Sequence, residues 1–257
     1  MNRLPLVIAH RGASGLAPEN TLTAFKKAID LGVDRIEMDL RQTIDGEVVV
    51  LHDKTINRTT NGWGSIRKLS LKKARKYSAG SWFHHSYSAE RIPTFREVLE
   101  LVNGRATLLL EIKDGSPYHH NIEGNILKLL DEYQAHKWCI VQSFNDRIIN
   151  NFRSLPDLHS DIHKLFAAFI PVAPFYGGSK FSYKRLRRYE FAHEVNINYK
   201  YVNPRVVRKV HEMGKKVNVW TVNEIENQNK YIKMGVDGII TDYPDRLKSL
   251  LHSTEKV

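Results

Sequence analysis

Strand-like and helix-like segments alternate along the whole chain, and this alternation constrains the fold more than any other feature. Eight apolar segments have the length of a strand: residues 6–10, 35–40, 107–113, 139–144, 164–169, 191–197, 216–222 and 237–242. Helical patterns lie between most of them, and four of these patterns end at a glycine, as helices commonly do: 19–32, 93–104, 203–214 and 223–235. Strands joined by helices form a parallel sheet. With eight such strands in 257 residues, we expect an α/β fold of the TIM (β/α)8 barrel type, which needs roughly 250 residues.

Two features interrupt the alternation after the second predicted strand. Residues 43–53 carry Asp45 and Gly46, a dipeptide typical of hairpin turns, and then a further apolar run. The stretch that follows shows no clear strand and is longer than an ordinary loop between a barrel strand and its helix. We therefore expect one domain, residues 1–257, with a small insertion at about residues 54–92.

The net charge of +11 has more than one explanation. Basic residues cluster at 67–77 and 183–190. Such runs bind nucleic acid or an anionic membrane, steer an anionic substrate, or only solvate helix faces. Because no nucleic-acid-binding motif accompanies them, we expect no nucleic-acid partner. Weak peripheral contact with a membrane stays open.

The sequence also restricts where the protein works. A single cysteine, Cys139, excludes an internal disulfide. No apolar run approaches the ~18 residues of a membrane-spanning helix, and the short apolar run near the N-terminus is interpreted as the first strand. These features favour a cytoplasmic setting, while no pattern indicates an oligomeric state.

Acidic residues occur in strands that otherwise look buried. Glu37 and Asp39 lie two residues apart in the second predicted strand, RIEMDL, so they share one face of it. Glu111 and Lys113 have the same spacing in the third predicted strand. Three carboxylates that face inward on neighbouring strands suit Mg²⁺ or Ca²⁺ better than Zn²⁺. The alternative is a structural network of ion pairs that also includes Arg11.

Two histidines are candidates for proton transfer, because imidazole titrates near neutral pH. His10 and His52 both lie at predicted strand ends beside carboxylates. Together with a divalent cation and the positive charges of Arg11 and Lys113, they form a set suited to phosphoryl chemistry. One histidine would activate the nucleophile, and the other would protonate the leaving alkoxide. The paired histidines at 84–85 and 119–120 are expected at the surface.

Several motifs resemble the glycerophosphodiester phosphodiesterases. They are AHRGASGLAPENTLTAF (9–25), EMDLRQTIDGEVVVLHD (37–53), RTTNGWG (58–64), IPTFREVL (92–99), LLLEIK (108–113), VNVWTVN (217–223) and MGVDGIITDYP (234–244). The resemblance runs from the first predicted strand to the last and is weaker at 145–200. It implies a TIM barrel with a small segment inserted after the second strand.

The resemblance also implies a reaction, the metal-dependent hydrolysis of small-molecule glycerophosphodiesters to sn-glycerol 3-phosphate and an alcohol. It assigns eight residues: metal ligands Glu37, Asp39 and Glu111, the general acid/base pair His10 and His52, phosphate contacts Arg11 and Lys113, and Trp220 in the glycerol pocket. One alternative is a lysophospholipase D that acts on lysophospholipids at a membrane surface. Another is a non-catalytic barrel that binds phosphodiesters or a partner protein, but a binding protein has no need for a proton-transfer pair.

Overall fold

The computed structural model describes residues 4–116, 118–155, 167–169 and 192–254. In these ranges the strands are β1 (Leu6–Ala9), β2 (Arg35–Gln42), β3 (Val48–Val50), β4 (Thr107–Ile112), β5 (Cys139–Ser143), β6 (Ala167–Phe169), β7 (Glu194–Asn198), β8 (Lys216–Trp220) and β9 (Gly238–Thr241). The α-helices are α1 (Leu22–Asp30), α2 (Leu71–Ala74), α3 (Phe95–Val102), α4 (Ile122–Glu132), α5 (Asp146–Arg153), α6 (Pro204–Glu212), α7 (Ile225–Met234) and α8 (Pro244–Thr254).

Eight of the strands form a closed parallel barrel in the order β1, β2, β4, β5, β6, β7, β8, β9. The ring closes because β1 pairs with the last strand, Ala9 opposite Thr241, and also with β2, Ala9 opposite Ile36. The predicted TIM barrel is therefore confirmed. The ninth strand, β3, pairs antiparallel with the carboxyl end of β2, beyond the point where β1 ends.

The predicted segments agree with the observed elements. Each of the eight predicted strands contains a barrel strand, although part of the fifth prediction and the first residue of the sixth lie outside the described residues, as does the basic run at 183–190. The predicted hairpin is present between β2 and β3. The Thr43 N–H donates to the Glu47 carbonyl at 3.0 Å, and Gly46 has a φ of 85°, a conformation that favours glycine.

The helices begin at polar caps and bury one apolar face. The Thr21 hydroxyl accepts from the Ala24 N–H at the start of α1. At α3 the Thr94 hydroxyl accepts from the Glu97 N–H, while the Glu97 carboxylate accepts from the Thr94 N–H. Such reciprocal caps satisfy donors that a helix start leaves unpaired. The buried residues of α3 recur at helical spacing and face the sheet: Phe95, Val98, Leu99 and Val102.

Buried apolar residues of the described ranges form three separate clusters. The largest lies between the strands and the surrounding helices. A small one lies inside the barrel and consists of Ile8, Leu109, Ile140 and Ile240. The third joins the hairpin to residues 54–92: Val49, Leu51, Ile56, Ile66, Leu69, Ala74, Ala79 and Ile92. Within 54–92 the structure shows α2, two 3-10 turns and an isolated bridge from Thr55 to Ser65.

Two further observations concern Cys139 and the membrane. The thiol of Cys139 is free and buried, at 2% exposure. Among the residues that the structure describes, no helix is long and apolar enough to cross a membrane.

A chain of three amides crosses the barrel interior. The Asn196 side chain donates to the Gln142 Oε1 at 2.5 Å and accepts from the Asn218 Nδ2 at 2.8 Å. All three side chains are completely buried. Buried polar groups are costly unless they are hydrogen-bonded, so this chain is needed to hold polar residues inside the barrel.

We predict that Asn196→Ala destabilises the protein. The substitution leaves the Gln142 and Asn218 amides each without a buried partner, and each unpaired group costs ~1–3 kcal/mol. Urea unfolding followed by circular dichroism should show a free energy of unfolding lower by at least ~2 kcal/mol in total. The exposed Asn150→Ala in α5 is the control, and an equal effect of the two substitutions would contradict the role of the amide chain.

Candidate active site

The candidate active site lies at the carboxyl ends of the barrel strands, where barrel enzymes carry their functional residues. A cavity of about 150 Å³ opens there. Seven of the eight assigned residues line it: His10, Arg11, Glu37, His52, Glu111, Lys113 and Trp220. Phe144, Thr221 and Ile240 complete the lining. The eighth assigned residue, Asp39, is buried and contacts Arg11 and Lys113.

Strand register brings three carboxylates together. Asp39 in β2 lies opposite Glu111 in β4, and Glu37 shares the same face of β2. All three side chains are buried, and each offers a carboxylate oxygen within 4.8 Å of those of the other two. Neighbouring buried carboxylates repel one another, so this arrangement requires positive charge close by.

Most of the available positive charge is directed at Asp39. The Lys113 Nζ lies 2.9 Å from its Oδ1, and the Arg11 Nε lies 3.2 Å from its Oδ2. The Asn20 Nδ2 also donates to the Oδ2, at 2.8 Å. Burial alone would raise the pKa of Asp39, but Lys113 and Arg11 outweigh burial and hold this pKa well below its usual range. Part of the alternative ion-pair network therefore exists, centred on Asp39.

The other two carboxylates are poorly compensated. Burial, together with the charges of Asp39 and Glu111, raises the pKa of Glu37 well above its usual range. Glu37 accepts from the Arg11 backbone N–H at 3.1 Å, and its nearest imidazole nitrogen, on His10, is 3.9 Å away. Burial also raises the pKa of Glu111 to about 7, although Lys113 contacts this carboxylate. The cluster therefore fits a divalent cation, which supplies the missing charge to oxygen ligands.

The backbone around Arg11 shapes this end of the barrel. Arg11 has a φ of 55° and Gly12 a φ of 83°, both in the left-handed region. A Cβ on Gly12 would come within 2.7 Å of the Ala24 carbonyl carbon, so only glycine fits here. This tight turn after β1 directs the Arg11 N–H at Glu37 while its side chain reaches Asp39.

The two assigned histidines have the same kind of support. The His10 Nδ1 lies 2.6 Å from Asp242, and the His52 Nδ1 lies 2.6 Å from Asp53. A carboxylate at Nδ1 holds the proton there and leaves Nε2 for proton exchange in the cavity. Burial, and then the positive charges of Lys113 and Arg11, lower the pKa of His52, although Asp39 opposes them.

The supporting aspartates are fixed in turn. Asp242 accepts from the Ser14 hydroxyl at 2.9 Å and from the Asn223 amide at 2.7 Å. Burial raises its pKa, but hydrogen bonds from His10 and these neighbours outweigh burial and lower the pKa to about 2. Asp242 is therefore charged at neutral pH and can hold the His10 ring in place through its Nδ1.

A second set of ion pairs connects the loop after β1 to residues 54–92. Arg58 contacts Asp53 at 2.7 Å and Glu19 at 2.8 Å, and Glu19 also accepts from Arg11 at 2.8 Å. Burial opposes ionisation of Asp53, but Arg58 and His52 lower its pKa to about 2. Sequence reasoning missed Glu19, Asn20 and Arg58 as site residues, although all three are polar residues within the motifs AHRGASGLAPENTLTAF and RTTNGWG.

An aromatic pair forms part of the cavity wall. The rings of Phe144 and Trp220 meet edge to face with centroids 5.5 Å apart, and the Lys113 Nζ lies 5.8 Å from the Phe144 centroid. Phe144 follows β5 directly and has no catalytic side chain, so the sequence gives no reason to place it in the site.

The structure corrects one expectation about the other histidines. His84, His85 and His120 are exposed as predicted, but His119 is buried and packs edge-on against Tyr118 at 4.8 Å. Burial, followed by the nearby Arg41, lowers the pKa of His119 to about 4. It lies outside the cavity lining.

The barrel brings acids, histidines and cations together at the carboxyl ends of its strands, and comparison with known proteins identifies the class of enzyme. Residues 10–246 match the model of the glycerophosphoryl diester phosphodiesterase family. The chain belongs to this family, and it is a glycerophosphodiester phosphodiesterase.

Individual relatives are similar over nearly the whole chain. A glycerophosphodiester phosphodiesterase of Caldanaerobacter subterraneus is 37% identical over 247 residues, covering 96% of this chain and 97% of the relative. One from Bacillus subtilis is 30% identical over 98% of this chain and 86% of its own length. A phosphodiesterase of Oleispira antarctica, solved in complex with the product sn-glycerol-3-phosphate, has a TM-score of 0.83 and 28% identity, with 97% of each chain covered.

We predict that a divalent cation stabilises the protein through Glu37. A ligand that binds the folded state raises the melting temperature. Melting after exhaustive chelation should therefore shift upward when Mg²⁺, Ca²⁺ or Mn²⁺ is added. Glu37→Gln should remove this shift, and the unloaded variant should melt no lower than unloaded wild type, because an uncompensated buried carboxyl is lost. The exposed Glu226→Gln should respond like wild type. A full shift in Glu37→Gln would exclude this site.

Proposed function

We propose that this enzyme hydrolyses glycerophosphodiesters to sn-glycerol 3-phosphate and an alcohol, with Mg²⁺ or Ca²⁺ bound by Glu37, Asp39 and Glu111. The observation that carries the proposal is that two histidines, each supported by a carboxylate, line the same cavity as two of these acids. The sn-glycerol-3-phosphate bound to the relative from Oleispira antarctica supports the choice of product.

The phosphate binds between two cations of the protein. Arg11 and Lys113 both line the cavity and both contact Asp39, which holds them in place. A phosphodiester anion that enters the cavity therefore meets two cations that are already positioned. A divalent cation held by Glu37, Asp39 and Glu111 would supply further positive charge for the transition state. Trp220 lines the pocket for the glycerol moiety, where its ring packs against the carbon chain.

His10 and His52 transfer the protons. The Nε2 of one histidine takes the proton of the attacking hydroxyl as the new P–O bond forms. The other histidine, protonated at the start, gives its Nε2 proton to the departing oxygen as the P–O bond to the alcohol breaks. Asp242 and Asp53 keep each ring oriented through its Nδ1.

We also propose that residues 54–92 are an insertion in a single barrel domain and that they shape the pocket for the head-group alcohol. The stretch begins two residues after His52, and Arg58 holds Asp53, the partner of that histidine. The buried apolar residues of this stretch pack in the cluster that includes the hairpin, and none of them belongs to the cluster inside the barrel. A change in this stretch can therefore alter the site while the barrel stays intact.

Product analysis tests this function. With Mg²⁺ or Ca²⁺, the enzyme should release sn-glycerol 3-phosphate from glycerophosphocholine and glycerophosphoethanolamine, and chelation should abolish the release.

A second candidate function, lysophospholipase D, is favoured by Trp63, which is 80% exposed and suited to contact lipid. A higher kcat/KM for choline release from lysophosphatidylcholine than from glycerophosphocholine would select the second candidate.

We predict that His10→Ala and His52→Ala respond differently to the leaving group. Losing either histidine should cost ~10²–10⁴-fold in kcat with a natural substrate. A p-nitrophenolate leaving group needs no proton on departure. With glycerophospho-p-nitrophenol, the variant that lacks the general acid should therefore recover most of its activity, while the variant that lacks the base should stay impaired.

His120→Ala is the matched control, because His120 is exposed and lies outside the cavity. It should behave like wild type with both substrates. Circular dichroism should show that all three variants are folded. If His10→Ala and His52→Ala recover equally, or neither recovers, the two histidines are not an acid and base pair.

A further inference from the structure

One surface of the protein has a composition that the proposed reaction does not explain. It combines two exposed apolar side chains with five exposed cations, and we call it the basic apolar face. Its members are Ile44, Trp63, Arg67, Lys68, Lys72, Lys73 and Lys76. Trp63 is 80% exposed and Ile44 is 67% exposed. Large apolar side chains are costly to leave in water when they lie together, so such a patch indicates a binding surface.

Local contacts bring the segments that carry these side chains together. Trp63 lies between two glycines that pack against the basic segment: a Cβ on Gly62 would meet the Tyr77 ring at 2.3 Å, and a Cβ on Gly64 would lie 3.7 Å from the Leu69 side chain. The Ile44 N–H donates to the Leu69 carbonyl at 3.0 Å. Both exposed apolar residues are therefore anchored beside Leu69, at the start of the basic helix α2.

The cations of this face outnumber the acids beside it, of which the exposed Asp45 accepts from the Leu71 N–H at 3.0 Å. Residues 67–76, RKLSLKKARK, include no acid. Arg75 pairs with Glu97, and Arg67 lies over the Tyr118 ring at 4.6 Å. Within the described part of the chain, the four lysines of the face form no ion pair. A helix face that only needs to be soluble usually intersperses both signs of charge, so this concentration of one sign indicates an anionic partner.

We propose that the basic apolar face docks the enzyme on a lipid bilayer with anionic headgroups. Tryptophan and lysine are the side chains that anchor proteins at the boundary between headgroups and acyl chains. Lysines near the bilayer are attracted by the surface potential of anionic lipids. The exposed Ile44 favours a bilayer over a nucleic acid, because an aliphatic side chain neither stacks on bases nor binds phosphate. Docking rests on a different observation from the proposed reaction, since no residue of the face lines the catalytic cavity.

Docking would bring the catalytic end of the barrel near the membrane. The hairpin that carries Ile44 continues from the carboxyl end of β2, the strand that holds Glu37 and Asp39. Residues 54–92 follow the same hairpin, directly after His52. Docking would thus concentrate the enzyme where phospholipid-derived phosphodiesters are released.

Vesicle sedimentation with two charge-matched double variants tests the proposal. Wild type should sediment with vesicles of phosphatidylcholine and phosphatidylglycerol, not with phosphatidylcholine alone, and salt should release it. Lys72→Glu/Lys73→Glu should weaken binding at least about tenfold. Arg205→Glu/Arg208→Glu changes the net charge equally on exposed positions of α6 and should bind like wild type. Equal loss in both double variants would overturn the proposal, because net charge alone would explain binding.

The fluorescence of Trp63 provides a second measurement, which reports insertion into the bilayer and not electrostatic attraction. Brominated lipids should quench tryptophan fluorescence in wild type, and Trp63→Phe should remove this quenching while keeping an aromatic side chain and the melting temperature. Quenching that persists in Trp63→Phe would overturn the proposed insertion. Binding to heparin in the absence of any binding to anionic vesicles would also overturn the proposal, in favour of a soluble polyanion as the partner.

Discussion

Among the residues that the structure describes, three carboxylates share a buried end of the barrel with two cations, and the rest of the site depends on how this unequal charge is balanced. Arg11 serves two of the acids at once, its side chain contacting Asp39 and its backbone N–H contacting Glu37. This double role requires the left-handed turn at Arg11 and Gly12. Glu19 fixes Arg11 and extends the ion pairs to Arg58. Charge balance, backbone conformation and the position of residues beyond β3 are therefore linked.

Barrel closure brings one of the two cavity histidines to its aspartate. His10 and Asp242 are 232 positions apart, and they meet because β1 pairs with β9. The His10 backbone N–H donates to the Thr241 carbonyl at 2.9 Å, which extends this strand pairing up to the histidine itself. The other histidine, His52, receives its aspartate from the next residue in the chain. One of the two proposed proton-transfer groups thus depends on the global fold, and the other on local structure.

The sequence predicts the barrel and the acidic cluster because both follow from local periodicity. Alternating segments define eight strands, and i, i+2 spacing places Glu37 and Asp39 on one face. The strand ends then bring the histidines near them. Contacts between distant residues are not predictable in this way. Neither the Asn20 contact to Asp39 nor the edge-to-face packing of Phe144 has a local signal, because each depends on how separate loops meet. His119 shows the same limit, since its burial comes from neighbours that its own segment does not specify.

The third apolar cluster has a consequence for how such an enzyme diversifies. The buried apolar residues of positions 54–92 pack with the hairpin in a cluster of their own. This cluster is separate from the barrel interior and from the layer between the sheet and the helices. Substitutions there need compensation only within that cluster. With the pocket-shaping role that we propose for residues 54–92, new substrate preferences can accumulate there, one tolerable change after another, while the barrel keeps its sequence. The same separation makes this stretch a natural target for loop grafting in enzyme engineering.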